Sequence, residues 1–147
     1  MSHSFAQNHL HAVFSTKDRR DAIPEQVRPR LWAYVVGIGQ NHGMIVNAVG
    51  GTSNHAHVLL QLPADLPLAK AISVLKSNSS RWMNEHKKGF GWQEGYGAFS
   101  VSASNLEVVD RYIRNQESHH KKITFEEEYL TILKKHGVAF DPKYVFG

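Results

Sequence analysis

The chain contains no cysteine in its 147 residues, and that absence removes several chemistries at once. Disulfides, thiolate zinc sites and cysteine nucleophiles are excluded. So are the zinc deaminases, whose His-x-Glu works beside a Cys pair. Long hydrophobic runs are also missing, since no stretch approaches the roughly 18 apolar residues that span a bilayer. The first residues, MSHSFAQNHLHAVF, lack the basic segment and apolar stretch of a secretory signal, so a cytoplasmic protein without a membrane partner is expected. No repeat, low-complexity tract or linker breaks the chain, and its length suits one domain over residues 1–147.

What is present begins with a modest basic surplus. Lys plus Arg outnumber Asp plus Glu by 17 to 13, with an isoelectric point of about 9.4. Four surplus charges point only weakly to a polyanionic partner. Their grouping says more: Lys17, Arg19 and Arg20, then Lys76 and Arg81, then Arg111 and Arg114.

Periodicity supplies the architecture. Residues 9–15 alternate, with Leu10, Ala12 and Phe14 on one side, and predict a first strand. Pro24 is placed to open a helix reaching about Gln40, with Pro29 awkward in its second turn. Residues 44–49, the Gly50-Gly51 turn and residues 54–62 predict a hairpin. Pro67 opens a long amphipathic helix to about His86, and residues 96–102 form a fourth strand. Two capping boxes, Ser104 with Glu107 and Thr124 with Glu127, start helices expected to end near Lys121 and at Gly137. The order β-α-β-β-α-β followed by helices is an α+β, ferredoxin-like split βαβ pattern, with an antiparallel sheet carrying helices on one face.

The segment NHAHVLLQL, Asn54 to Leu62, carries the first chemical signal. A strand has a side-chain period of two, so His55 and His57 share a face while Ala56, Val58, Leu60 and Leu62 form the apolar side. Two neighbouring imidazoles fit a metal site lacking a third ligand, or simply two surface histidines on a half-exposed strand. A strand order of 4-1-3-2 sets the end of the first strand against the start of the histidine strand. Lys17, Arg19 and Arg20 are then expected near His55 and His57, with His9 and His11 farther away, which argues against a four-histidine cluster.

The helix RYIRNQESHHKK offers the missing ligand. Tyr112 and Gln116 are four apart and so neighbours on one face. Gln116 presents an amide oxygen, and Tyr112 a phenol able to form a phosphodiester. A His, His, Gln set would hold a divalent ion with open positions for two oxygens of a scissile phosphate. Beside Val108, Val109 and Ile113, Tyr112 also reads as a packing tyrosine. His119 and His120 lie near Gln116 and can assist phosphate binding, ligate or relay protons, or merely face solvent. Arg111 and Arg114 flank the tyrosine, while Lys76 and Arg81 sit on the polar side of the second helix, free to meet backbone phosphates. Such phosphate contacts position DNA without reading its sequence. Trp92, Tyr96 and Phe99 can stack bases, although packing is the simpler use. Glu126 to Glu128 reads as an acidic first turn favoured by the helix dipole.

These motifs together resemble the HUH endonucleases, and within them the small single-tyrosine transposases of insertion sequences and their relatives associated with repetitive extragenic palindromes. His55-Ala56-His57 matches the His-hydrophobic-His signature, and Tyr112-x-x-x-Gln116 the tyrosine and third ligand. HAVFSTKDRR, LKSNSSRWMN and YIRNQESHH follow in family order. The resemblance implies a transposase that cuts single-stranded, hairpin-bearing DNA ends with Mg²⁺ or Mn²⁺. Tyr112 would stay linked to the 5′ side, and a second 3′-OH would rejoin the strands without a nucleotide cofactor. It further implies a homodimer, in which the tyrosine helix can serve either subunit. Two other functions fit the same residues: a domesticated protein that binds a DNA hairpin without cutting it, and a metal-dependent nuclease with a structural Tyr112.

Overall fold

The computed structural model describes residues 5–146. Four strands, β1 (His9–Ser15), β2 (Ile45–Gly51), β3 (His55–Gln61) and β4 (Gly97–Ser100), form one sheet in the order β2-β3-β1-β4. Every pairing is antiparallel, as the split βαβ pattern requires. The central pair sets Val13 against His57 and Ser15 against His55.

Helices α1 (Arg28–Asn41) and α2 (Leu68–His86) cover one face. Leu31, Val35 and Ile38 of α1 recur at helical spacing, as do Ile72, Leu75 and Met83 of α2, and all pack on Ala12, Phe14, Ala56, Val58 and Leu60. Each fully buried aliphatic side chain here contributes about 1.5–3 kcal/mol, which makes this layer the main source of stability. Pro67 caps α2 as its composition suggested. In α1 the helix starts later than expected: Pro29, and not Pro24, occupies the first turn, where a missing N–H costs nothing.

Helices α3 (Leu106–Arg114), α4 (Gln116–His119) and α5 (Phe125–Lys135) cover the other face. The alternative of two surface histidines on a half-exposed strand does not hold, because β3 is buried on both sides. The Ser104–Glu107 box does not form; a 3-10 turn over Ala103–Asn105 precedes α3, and Asn105 caps it without a side-chain bond. The Thr124–Glu127 box forms fully and starts α5. The helix expected to reach Lys121 breaks at Asn115, whose backbone (φ −99°, ψ 20°) leaves the helical region. Gly137, at φ +66°, ends the α5 region as a left-handed residue should.

One glycine sets how closely α3 sits. A Cβ at Gly50, which pairs with His57, would collide with the backbone carbonyl of Ile113. Only glycine lets the tyrosine helix lie directly on the sheet at the level of the histidines.

Candidate metal and nucleophile site

β3 delivers His55 and His57 to the face under α3–α5, and both are fully buried. α3 brings Tyr112 above them, with its ring centroid 5.7 Å from that of His57. The break at Asn115 turns Gln116 inward, leaving it 1 % exposed. The fourth contributor, from α5, is Glu128, at 2 % exposure.

Glu128 is the hub. Its Oε1 lies 2.9 Å from His57 Nε2, 3.0 Å from His120 Nε2 and 3.5 Å from His55 Nε2. Its Oε2 accepts the Tyr112 hydroxyl and, at 3.0 Å, the Gln116 amide N–H. The Gln116 Oε1 in turn lies 2.9 Å from both His55 Nε2 and His120 Nε2. Turning this amide over would set its oxygen against the carboxylate, so the network fixes its orientation.

The donors and acceptors do not balance without a cation. His120 Nδ1 donates to the carbonyl of Ile123 at 2.9 Å, so its Nε2 is the other ring nitrogen. That Nε2 faces two oxygens, from Gln116 and Glu128. A ring so placed satisfies both either as imidazolium or by ligating a cation that the oxygens share. His55, His57, His120 and Glu128 each offer a ligand atom, and these atoms lie within 4.8 Å of one another. Three imidazoles, a carboxylate and an adjacent amide oxygen therefore fit a divalent metal ion.

The surroundings orient the ligands. His57 Nδ1 meets His11 Nε2 at 2.7 Å. His55 Nδ1 lies 2.9 Å from Asn54 Oδ1 and 3.0 Å from the Thr52 hydroxyl. Partners at Nδ1 leave Nε2 directed into the cluster. Burial, reinforced by the neighbouring His57, lowers His55 and His11 to about 3, so both are neutral imidazoles, the form that ligates. Burial alone would raise Glu128, but hydrogen bonds from His120, His57 and Tyr112 hold it well below the usual carboxylate range. Tyr112 is pushed above the ordinary phenol range by burial first and by its Glu128 contact second.

The structure brings together His55, His57, Tyr112 and Gln116, draws in His120, one of the two auxiliary candidates, and adds His11 and Glu128. His11 belongs to the cluster, correcting its expected distance: it is diagonal to His57 across the strand pair, with centroids 5.0 Å apart. His120 is a full member, whereas His119, one-third exposed, sits 3.5 Å from Glu128 at the margin. Glu128 is no mere helix-dipole residue. It falls on the apolar stripe of α5 with Phe125, Tyr129 and Ile132, and an acid on such a stripe was the available signal.

The basic residues divide. Lys17, Arg19 and Arg20 lie at the His55 end of the sheet, where Thr16 N–H donates to the Asn54 carbonyl. Arg19 sits over Phe146 and 3.9 Å from Glu126, while Lys17 and Arg20 are exposed, the latter beside Asp18. Arg111 is exposed beside a groove with Asn47 and Leu106, and Arg114 donates to the Asn47 carbonyl. Arg81 is exposed on α2, across the sheet from the cluster. The Lys76 ammonium is committed, donating to the carbonyls of Gln93 and Gly95 at 2.7 and 2.6 Å. Trp92 and Phe99 pack, Trp92 against Phe14 and Phe99 in the core under α5, and Tyr96 is part-exposed.

Comparison with known proteins identifies the family and the fold. A family model described as "Transposase IS200 like" matches residues 4–116. A proposed transposase from Deinococcus radiodurans R1 shares the fold with a TM-score of 0.64 at 22% identity, over 79% of this chain and 95% of that one. A REP-associated tyrosine transposase bound to a REP hairpin shares it with a TM-score of 0.61 at 12% identity, over 84% of this chain and 74% of that one. No curated protein matches the chain. The family match ends at Gln116, so His119, His120 and Glu128 lie beyond it.

Proposed function

The chain belongs to the IS200-like transposase family, and we propose that this DNA transposase cuts and rejoins single-stranded, hairpin-bearing DNA ends through a covalent link to Tyr112. One observation carries the reading: a phenol, an amide and a carboxylate from three helices meet two strand imidazoles within one chain. His55, His57 and Gln116, joined by His120 and Glu128, would hold Mg²⁺ or Mn²⁺, which when bound supplies Lewis-acid polarisation of the scissile phosphate.

The protein groups do the rest. Tyr112 Oη attacks phosphorus while its proton passes to Glu128 Oε2, which already accepts it. The bond from phosphorus to the 3′ oxygen breaks, and that oxygen takes a proton from water to leave as a free 3′-OH. His119, 3.5 Å from the same Glu128 oxygen and part-exposed, links the carboxyl to solvent. The phosphotyrosine keeps the bond energy, so a second 3′-OH reverses the attack and joins strands without a nucleotide cofactor. The tyrosine acts in cis, a reading supported by its contact with Glu128 in the same chain.

Lys17, Arg19, Arg20, Arg81, Arg111 and Arg114 would hold backbone phosphates, with Lys76 left to hold its loop. A hairpin substrate is supported by the REP hairpin carried by one fold neighbour. Two hairpin-bearing ends suit a homodimer that works in the cytoplasm of a bacterial host. Among the described residues, no helix is long and apolar enough to cross a membrane.

The test uses single-stranded DNA from the flanks of the gene, with Mn²⁺, and seeks a protein–DNA adduct that survives denaturation. Tyr112→Phe is expected to lose the adduct and keep a gel shift. An adduct with the variant, or products bearing free 5′ phosphates, would overturn the proposal.

A further inference from the structure

A cleft of about 300 Å³ opens between α3, α5 and the edge strand β4, and it reaches the cluster from outside. Tyr112 and Glu128, joined through the phenol hydroxyl, both line it, so whatever occupies the cleft sits against this pair. Val101, Val108 and Ile132 give it apolar walls, and Val108 stands 52 % exposed at an opening that nothing among the described residues covers. At one end Phe99 and His136 are stacked, with ring centroids 4.6 Å apart. Lys135, exposed, also lines it.

We propose that this cleft is a nucleotide subsite, which takes the base and sugar whose 5′ phosphate Tyr112 receives. The inference rests on Tyr112 being the nucleophile and adds where its substrate lies. Apolar walls suit the faces of a base, an aromatic end suits stacking, and a lysine suits the flanking phosphate. The volume is at the lower end of ligand pockets, enough for one nucleoside and too little for a base pair. An unpaired nucleotide alone can enter, which selects single-stranded DNA beside the cut.

The cluster's other flank is a poorer candidate. A groove lined by Arg28, Lys121 and Lys122 runs past His120, but Glu25, Glu117, Glu126 and Glu127 line it too, and Tyr112 does not. Its mixed charge offers no preference for a polyanion, and a nucleotide held there would not meet the phenol.

Two arms test the subsite. In the first, the cut is mapped from the wild-type adduct, and the nucleotide immediately 3′ of it is replaced by an abasic residue. Wild-type adduct formation is expected to slow about tenfold, the size of a lost stacking contact. Val108→Trp, which fills the cleft from a half-exposed position, should slow the intact substrate about as much and become indifferent to the abasic one. Lys135→Glu, at an exposed position, should slow both. Abasic substitution without effect on wild type, or a Val108→Trp protein that reacts as wild type, overturns the subsite while leaving Tyr112 as nucleophile. In the second arm, amide NMR spectra of isotope-labelled protein follow a titration with deoxynucleoside 5′-monophosphates. Saturable shifts at Ser100 and Thr131, lost in Val108→Trp, support the subsite; their absence overturns it. If wild type forms no adduct, the nucleophile assignment fails, and this second arm alone decides whether the cleft binds nucleotides.

Discussion

Acid should loosen the metal-free protein well before its carboxylates titrate. His11 and His55 are held neutral, their values lowered to about 3 chiefly by burial. In the unfolded chain an imidazole returns to about 6.5. Between those two values the unfolded state binds a proton that the fold refuses, so stability is complete above the upper value and falls as pH drops below it. From about pH 7.5 to about pH 5.5 each group withdraws about 1.4 kcal/mol, close to 3 kcal/mol for the pair. That is a large share of the roughly 5–15 kcal/mol of an ordinary domain. Urea unfolding in the presence of a chelator, followed by tryptophan fluorescence and far-ultraviolet circular dichroism, measures the loss directly. His11→Gln keeps a polar partner for His57 Nδ1 but removes one titrating group, so its loss over the same interval should be about half. Saturating Mn²⁺ should add stability at pH 7.5 by binding the folded state, and less at pH 5.5, where protons compete for the imidazoles. Wild-type stability changing by less than about 0.5 kcal/mol over this interval, or an undiminished slope in His11→Gln, would refute the reasoning.

Glu128→Gln replaces the hub's charge with an amide whose N–H₂ must face either Tyr112 and the Gln116 amide or the imidazoles. Mn²⁺ affinity should fall about 10- to 100-fold by calorimetry, and the Tyr112 phenol should titrate lower in ultraviolet absorbance because a neighbouring anion is gone. Gly50→Ala forces its new methyl into the Ile113 carbonyl, so α3 must lift. A cost of about 2 kcal/mol in urea unfolding is expected, with adduct formation falling further than stability explains. Lys76→Met removes an ammonium bound by two loop carbonyls and should cost about 1–3 kcal/mol by the same assay. Its single-stranded DNA affinity should match wild type in a gel shift, unlike that of Arg111→Ala, which would lose the phosphate contact proposed for it.

The sheet was legible because residues 9–15 alternate and the histidine segment carries an apolar face. The glycine pair read as the hairpin turn belongs instead to β2, where Gly50 pairs with His57 and Gly51 with Ala56, and the turn falls on residues 52–54. The register of β1 on β3 follows from that topology and places Ser15 opposite His55. What failed was finer. Two prolines competed to open α1, and spacing alone could not rank Pro24 against Pro29, since the choice depends on where Leu31, Val35 and Ile38 meet the core. The Ser104 box matched in sequence, but the chain leaves β4 through a 3-10 turn that moves the cap to Asn105. His11 was misjudged because distance was reckoned along the strand, whereas long side chains reach diagonally across it. Glu128 was hidden by its neighbours: three consecutive acids read as a solvated turn, although only the third points inward. The Tyr–Gln spacing survived the break at Asn115, since both side chains still end on the same carboxylate oxygen.

Glu128 sits on α5, far along the chain from the strand histidines it binds. Synthesis proceeds from the N-terminus, so the ribosome releases every strand and the tyrosine helix before this carboxylate emerges. A nascent or stalled chain ending short of Phe125 carries the phenol and the paired imidazoles but no acid to join them. If Glu128 takes the Tyr112 proton as proposed, such a fragment lacks that base, and adduct formation must wait for the later residues.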